Sequence, residues 1–315
     1  MKKRVFLLLT SLILLLAGCT SEKSSNDIEN ENIKNDKIKV TASTYPMYYV
    51  ANEIGKDKID LNLLVPAGVD PHEYEVSLKE IKDLEQIDLF IYNGSGMESW
   101  GEKISNNLKN KDKDIINGSD YVELLNIEES EEHEEHEHDH GEKDPHIWLN
   151  PLNLDKIGKK VKEELIKLDK ENQEVYEKNY LELSEKLKSL DNKYTETLKN
   201  KKDNTILVSH EAFGYLANRY GLEQIAVTGI TPNSEPSPKT LAKLINVSKE
   251  KNIKYIFFEV LTSPKSVEML AKEAKLEVLV LNPIGGVTKE QFDKGIDYVD
   301  LMEENLANLK KALVD

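Results

Sequence analysis

Seven histidines are the residues of this 315-residue chain best suited to chemistry near neutral pH, and they fall into two groups. His133, His136, His138 and His140 crowd into Glu128 to Lys143 (EESEEHEEHEHDHGEK), a run with nine carboxylates and no apolar residue. Nothing in such a run can hold it in a core. Imidazoles this close can share a divalent metal, and the carboxylates raise the local cation concentration. The expected role is a metal-collecting loop of modest affinity, because a flexible segment loses entropy on forming a site. The plainer alternative, a solvated acidic loop, has to place four of seven histidines there by accident.

The other three histidines are isolated. His72 sits in Pro66-Ala-Gly-Val-Asp70-Pro71-His72-Glu73-Tyr74-Glu75, after a strand-like run. His146 sits in Asp144-Pro145-His146-Ile-Trp148-Leu-Asn150-Pro151, just before a helix signal. His210 sits in Leu207-Val208-Ser209-His210-Glu211-Ala-Phe213-Gly214, where a strand hands over to a helix. Open α/β sheets bind ligands at the carboxyl ends of their strands. One histidine there is more often structural; three argue for a shared site in a cleft. Imidazole suits zinc, and a three-histidine set leaves one tetrahedral position for a carboxylate or water.

The elements that must position these side chains alternate between strand and helix. Strand signals occur at Ile38 to Ser43, Ile59 to Val65 and Asp88 to Asn93, and again at Thr205 to Ser209, Gln224 to Val227, Tyr255 to Phe258 and Val278 to Leu281. Helices are expected over Pro46 to Ile54 and from Ser77 to Gln86, the latter opened by a Ser77/Glu80 capping box. Ser237-Pro238 and Ser263-Pro264 mark two further starts. Such alternation means mostly parallel sheets flanked by helices. Between the two strand-bearing halves, Tyr176, Tyr180, Leu183, Leu187, Leu190, Tyr194 and Leu198 form one apolar stripe at helical spacing. A helix from Glu171 to Asn200 would be about 45 Å long and could run down both halves. A coiled-coil arm is the alternative.

The N-terminus reads as a targeting segment. Lys2, Lys3 and Arg4 precede an apolar run from Val5 to Leu16, which ends in Leu16-Ala17-Gly18-Cys19. This resembles the bacterial lipobox, in which cleavage precedes a cysteine that then carries diacylglycerol. Cys19 is the chain's only cysteine, which also excludes a disulfide framework and a cysteine-based zinc site. The expectation is an extracytoplasmic protein held at the membrane lipid by acyl chains. The expected division is a signal peptide over 1–18, a flexible tether over 19–36, an α/β lobe over 37–150 containing the 128–143 loop, a linking helical segment over 151–200, and a second α/β lobe over 201–315.

Composition narrows the function classes. With 39% hydrophobic residues the chain can build real cores, and with 42 Lys+Arg against 58 Asp+Glu it lacks the basic surface of a nucleic-acid binder. A secreted zinc hydrolase is the rival reading. Neither His72-Glu73 nor His210-Glu211 continues to HExxH, and a hydrolase would also need a general base and oxyanion donors beside an open zinc position, so an enzyme is not expected. No surface-binding motif marks an adhesin.

The lipobox, Pro-His-Glu-Tyr-Glu, Asp-Pro-His-Ile-Trp-Leu-Asn-Pro, Ser-His-Glu-Ala-Phe-Gly-Tyr-Leu and the Glu/His-rich insertion together resemble the zinc-binding solute-binding lipoproteins of ABC metal importers. This is cluster A-I, also called the adhesin-lipoprotein family. The resemblance implies two α/β lobes joined by a long rigid spanning helix, with the metal in the interlobe cleft. It further implies zinc as cargo, His72, His146 and His210 as ligands, and delivery to a membrane permease and its ATPase by a monomer. Manganese binders of the family typically place a carboxylate where this chain has His210; manganese or another divalent ion is the alternative cargo. Zinc-binding relatives often carry an acidic residue in the loop after the last strand, where this chain has Gly285. Water is therefore the first choice for the fourth ligand, ahead of Glu73, Glu259 or a residue of the 128–143 loop.

Overall fold

The computed structural model describes residues 37–127, 143–230, 232 and 236–315. The expected signal peptide and tether, Cys19, and His133, His136, His138 and His140 lie outside the described residues.

Among the described residues, two four-stranded parallel sheets account for the eight strands. In the first half, β1 (Ile38–Ala42) leads through α1 (Tyr45–Gly55) to β2 (Ile59–Leu63). Then α2 (Leu78–Leu84), β3 (Leu89–Tyr92), α3 (Gly101–Lys109) and β4 (Asp114–Asn117) follow. After α4 (Pro151–Leu168) and α5 (Gln173–Leu198), the second half runs β5 (Thr205–His210), α6 (Gly214–Tyr220), β6 (Glu223–Thr228), α7 (Pro238–Glu250), β7 (Tyr255–Phe258), α8 (Lys265–Ala274) and β8 (Glu277–Val280). It closes with α9 (Lys289–Asp293) and α10 (Tyr298–Leu313). The sheet orders are β2-β1-β3-β4 and β6-β5-β7-β8, so both halves share one winding. Parallel neighbours need crossovers, and a helix supplies each one. In this order the winding reverses between β1 and β3, and between β5 and β7. Those are the switch points at which α/β sheets bind ligands.

Local signals explain most boundaries. The Ser77/Glu80 capping box starts α2, and the Ser237 hydroxyl accepts from the Thr240 amide at the start of α7. At α8 the start differs from expectation. Pro264 has helical dihedrals just ahead of Lys265, as a proline in the first turn does, but no side-chain hydrogen bond caps this end. Asn150 caps α4, with Pro151 in the first turn, which fixes where the chain turns after His146.

The spanning helix is real, and at 26 residues is about 39 Å long. Its stripe is buried except at Tyr180, which is half-buried, and each buried apolar side chain contributes roughly 1.5–3 kcal/mol. Near its start Asn179 donates to the Ile54 carbonyl at the end of α1 (2.9 Å). Near its end the Tyr194 hydroxyl donates to the Met302 carbonyl in α10 (2.6 Å). One continuous apolar cluster runs through α1, α4, α5, α10 and both sheets. Loops cross between the halves as well. The Trp148 indole donates to the Pro283 carbonyl (2.6 Å), and the Gly68 amide to the Val287 carbonyl (2.7 Å). Among the described residues, no helix is long and apolar enough to cross a membrane.

Candidate metal centre

His210 is the last residue of β5, and Glu259 follows β7 directly, so both stand at the switch point of the second sheet. His72 comes from the first half, in a single 3-10 turn (Pro71–Glu73) that Asp70 caps by accepting the His72 amide at 2.9 Å. His146 comes from the segment before α4. The three rings meet. His146 Nε2 lies 3.2 Å from His72 Nε2 and 3.4 Å from His210 Nε2. Among the described residues, these three form the one group whose candidate ligand atoms all lie within 4.8 Å of one another.

That spacing can be tested against zinc. Bonds of about 2.0–2.1 Å at tetrahedral angles put ligand nitrogens about 3.3–3.4 Å apart. The two separations from His146 Nε2, 3.2 and 3.4 Å, lie close to that value.

The opposite ring nitrogens face carboxylates. His146 Nδ1 lies 2.8 Å from Asp144 Oδ1, the same oxygen that accepts the His146 amide at 2.9 Å. His210 Nδ1 lies 2.5 Å from Glu259 Oε1, which the Ser209 hydroxyl also contacts. A carboxylate on Nδ1 keeps the proton there and leaves the Nε2 lone pair for a metal. Asp144 and Glu259 are almost fully buried, at 3% and 2% exposure. Burial pushes the Asp144 carboxyl up to about 7. Burial, followed by the neighbouring imidazoles, holds His72 and His146 well below the ordinary histidine value. Both rings are therefore neutral at pH 7, the form that binds metal.

The cavity at this point measures about 30 Å³, and its further walls include Pro71, Met97, Trp148, Leu261 and Gly285. It has room for an ion and a water, far less than the roughly 300–1,000 Å³ of a small-molecule pocket. Of the fourth-ligand candidates, Glu259 stands behind His210 on its Nδ1 side, and Glu73 is exposed and outside the group of converging atoms. Gly285 lines the cavity, and a Cβ there would sit 3.2 Å from the Trp148 ring. The sequence reading missed Asp144. The signal was present in Asp144-Pro145-His146, because an aspartate two residues before a ligand can fold back onto its ring.

The description "Zinc-uptake complex component A periplasmic" (ZnuA) belongs to a family model that matches residues 40–312. The chain belongs to the ZnuA family. The high-affinity zinc uptake system protein ZnuA of Bacillus subtilis is 38% identical over 309 residues, covering 97% of this chain and 96% of that one. The zinc-binding lipoprotein AdcA of Streptococcus pneumoniae is 35% identical over 316 residues, covering 98% of this chain and 61% of AdcA, so the chain spans about three fifths of that relative. The crystal structure of the Zn(II)-bound ZnuA-like domain of AdcA superimposes with a TM-score of 0.76 at 34% identity, covering 89% of this chain and 100% of that domain. The two-sheet architecture and long helix are thus those of a ZnuA-like zinc-binding protein.

Proposed function

We propose that this ZnuA-family protein captures zinc outside the cytoplasm and delivers it to a membrane ABC importer, a permease with its ATPase. His72, His146 and His210 hold the ion and water takes the fourth position. The observation that carries this reading is the convergence of three histidines, with the Nε2 atoms of His72 and His210 each standing from His146 Nε2 at close to the spacing of a tetrahedral zinc site and with a buried carboxylate behind two of the rings. Relatives named for zinc uptake and zinc binding support the choice of cargo over manganese. The small cavity suits an ion better than an organic substrate, which sets transport above hydrolysis. The lobes over 37–150 and 201–315 present the site, and the 151–200 segment keeps them together. Cys19 carries the lipid, residues 19–36 give reach above the membrane, and the 128–143 loop gathers zinc near the site. The protein acts as a monomer.

Metal analysis of purified protein tests the reading. Wild type is expected to retain one tightly held zinc per chain and His210→Ala none. A His210→Ala protein that keeps the tight equivalent, or a wild type that takes up manganese in preference to zinc, would overturn it.

A further inference from the structure

The segment that carries His146 is gripped from both halves of the molecule at consecutive carbonyls. From the first half, the buried Asn93 amide donates to the Pro145 carbonyl at 2.8 Å. Asn93 is itself fixed, because its backbone amide donates to Glu98 Oε1 at 2.9 Å and the Gly94 amide to Glu98 Oε2 at 3.1 Å. From the second half, the Tyr215 hydroxyl of α6 donates to the Asp144 carbonyl at 3.1 Å and accepts the Leu125 amide at 3.1 Å. The Asp144 amide closes the ring by donating to the Leu125 carbonyl at 2.9 Å. Helix α6 is in turn tied to the spanning helix, where Arg219 makes a two-pronged ion pair with Asp191 (2.8 and 2.7 Å).

We infer that Tyr215 is a positioning residue for zinc: its hydroxyl, carried by the second half, holds the Asp144 backbone that sets His146 in place. The inference rests on the zinc reading of the site. Asp144 is where both effects meet, since its carbonyl is held by Tyr215 and its carboxylate holds His146 Nδ1. Gly214, next to Tyr215, has no side chain for a physical reason: a Cβ there would run into Asp144 Oδ2. Any motion that draws α6 back withdraws the hydroxyl, frees the Asp144 backbone and lets the carboxylate leave the ring. The imidazole then loses its fixed orientation, and the metal its third nitrogen. The contact thus couples the relative placement of the halves to the grip on the ion.

Tyr220 provides an internal control. It lies on the same helix, is buried, and donates a comparable hydrogen bond to Asp191 (3.1 Å), away from the metal centre. Tyr215→Phe and Tyr220→Phe each remove one hydroxyl and keep the ring. Zinc release into excess chelator, the visible absorption of the Co(II)-loaded protein, and the melting temperature of the metal-free protein would be compared. Tyr215→Phe is expected to release zinc on the order of tenfold faster and to shift the Co(II) bands, as changes behind a metal ligand do. Tyr220→Phe is expected to lower the melting temperature with wild-type release and wild-type bands. Gly214→Ala presses on the same carboxylate from the other side and is expected to speed release as well; it carries the test if Tyr215→Phe fails to fold. Wild-type release and Co(II) bands in Tyr215→Phe would overturn the inference, as would equal acceleration in both tyrosine variants. A wild type that binds no zinc at all would instead overturn the reading of the site.

Discussion

Replacing Asp144 by asparagine should weaken zinc binding while sparing, or raising, the stability of the metal-free protein. The carboxylate takes two donors through one oxygen, the His146 amide and ring Nδ1. Asparagine keeps the shape but removes the charge, and when its amino group faces the ring it favours the tautomer with the proton on Nε2, which cannot bind metal. Losses of partners behind metal ligands cost about 10–100-fold in affinity, or about 1.4–2.7 kcal/mol. The stability effect has the opposite sign. The buried carboxyl sits at about 7 against an ordinary 3.8, so folded protein holds this proton more tightly than unfolded chain between those values. Its contribution to stability therefore falls as pH rises from about 4 to 7, by roughly 4 kcal/mol in all. Asparagine escapes that loss. Chelator competition should show the weaker affinity, and melting without metal should show the variant gaining on wild type between pH 4 and 7, then levelling off. Zinc should raise its melting temperature less than that of wild type. Wild-type affinity in the variant would refute the claim that charge behind His146 supports the metal.

Because burial holds His72 and His146 well below the ordinary histidine value, zinc retention should stay flat from pH 8 to about 6.5 and fall only on further acidification; dialysis across a pH series checks this, and a loss already complete at pH 6.5 would contradict it. Arg219→Ala leaves the nearly buried Asp191 with only the Tyr220 hydroxyl, and should cost about 2 kcal/mol by denaturant titration without changing zinc stoichiometry. Deleting residues 130–142 should leave one tight zinc and remove weaker equivalents in titration calorimetry, with slower loading at low ionic strength. Loss of the tight site in that deletion would mean the loop supplies a ligand.

The sequence made some of this legible because the signal was local and repeated. Seven apolar positions at helical spacing announced α5, and seven of the eight strands were read as β-prone runs. The missing one, β4 (DIIN), holds only two apolar residues between Asp114 and Asn117, so no β-prone run stands out there. The flanking helices α3, α9 and α10 went unread; α3 and α9 are too short to carry a long apolar stripe. Convergence of the three histidines was inferable from the rule that open α/β sheets bind ligands at the carboxyl ends of their strands. Glu259 was legible as a carboxylate near the site, but its place behind His210 depends on the β5–β7 pairing. Tyr215 and Asn93 were not legible, since they meet the His146 segment across 71 and 52 residues of chain through packing alone.

The proposed shell separates two tasks that a single carboxylate ligand would combine. Three imidazoles set the geometry, while two buried carboxylates, Asp144 and Glu259, sit one ring further out. A buried dication needs compensating charge, because desolvating an ion costs several kcal/mol even after the surroundings relax. Two carboxyl groups together can match a charge of +2 without entering the shell. The shell itself then offers mainly nitrogen, which suits zinc and leaves ions that require several oxygens undersupplied. In the metal-free protein one of these carboxyls lies near 7, so near neutral pH its burial is relieved by a proton that zinc can displace. Charge compensation thus follows the cargo: a proton on Asp144 offsets part of the negative charge when the site is empty, and the ion does so when it is full.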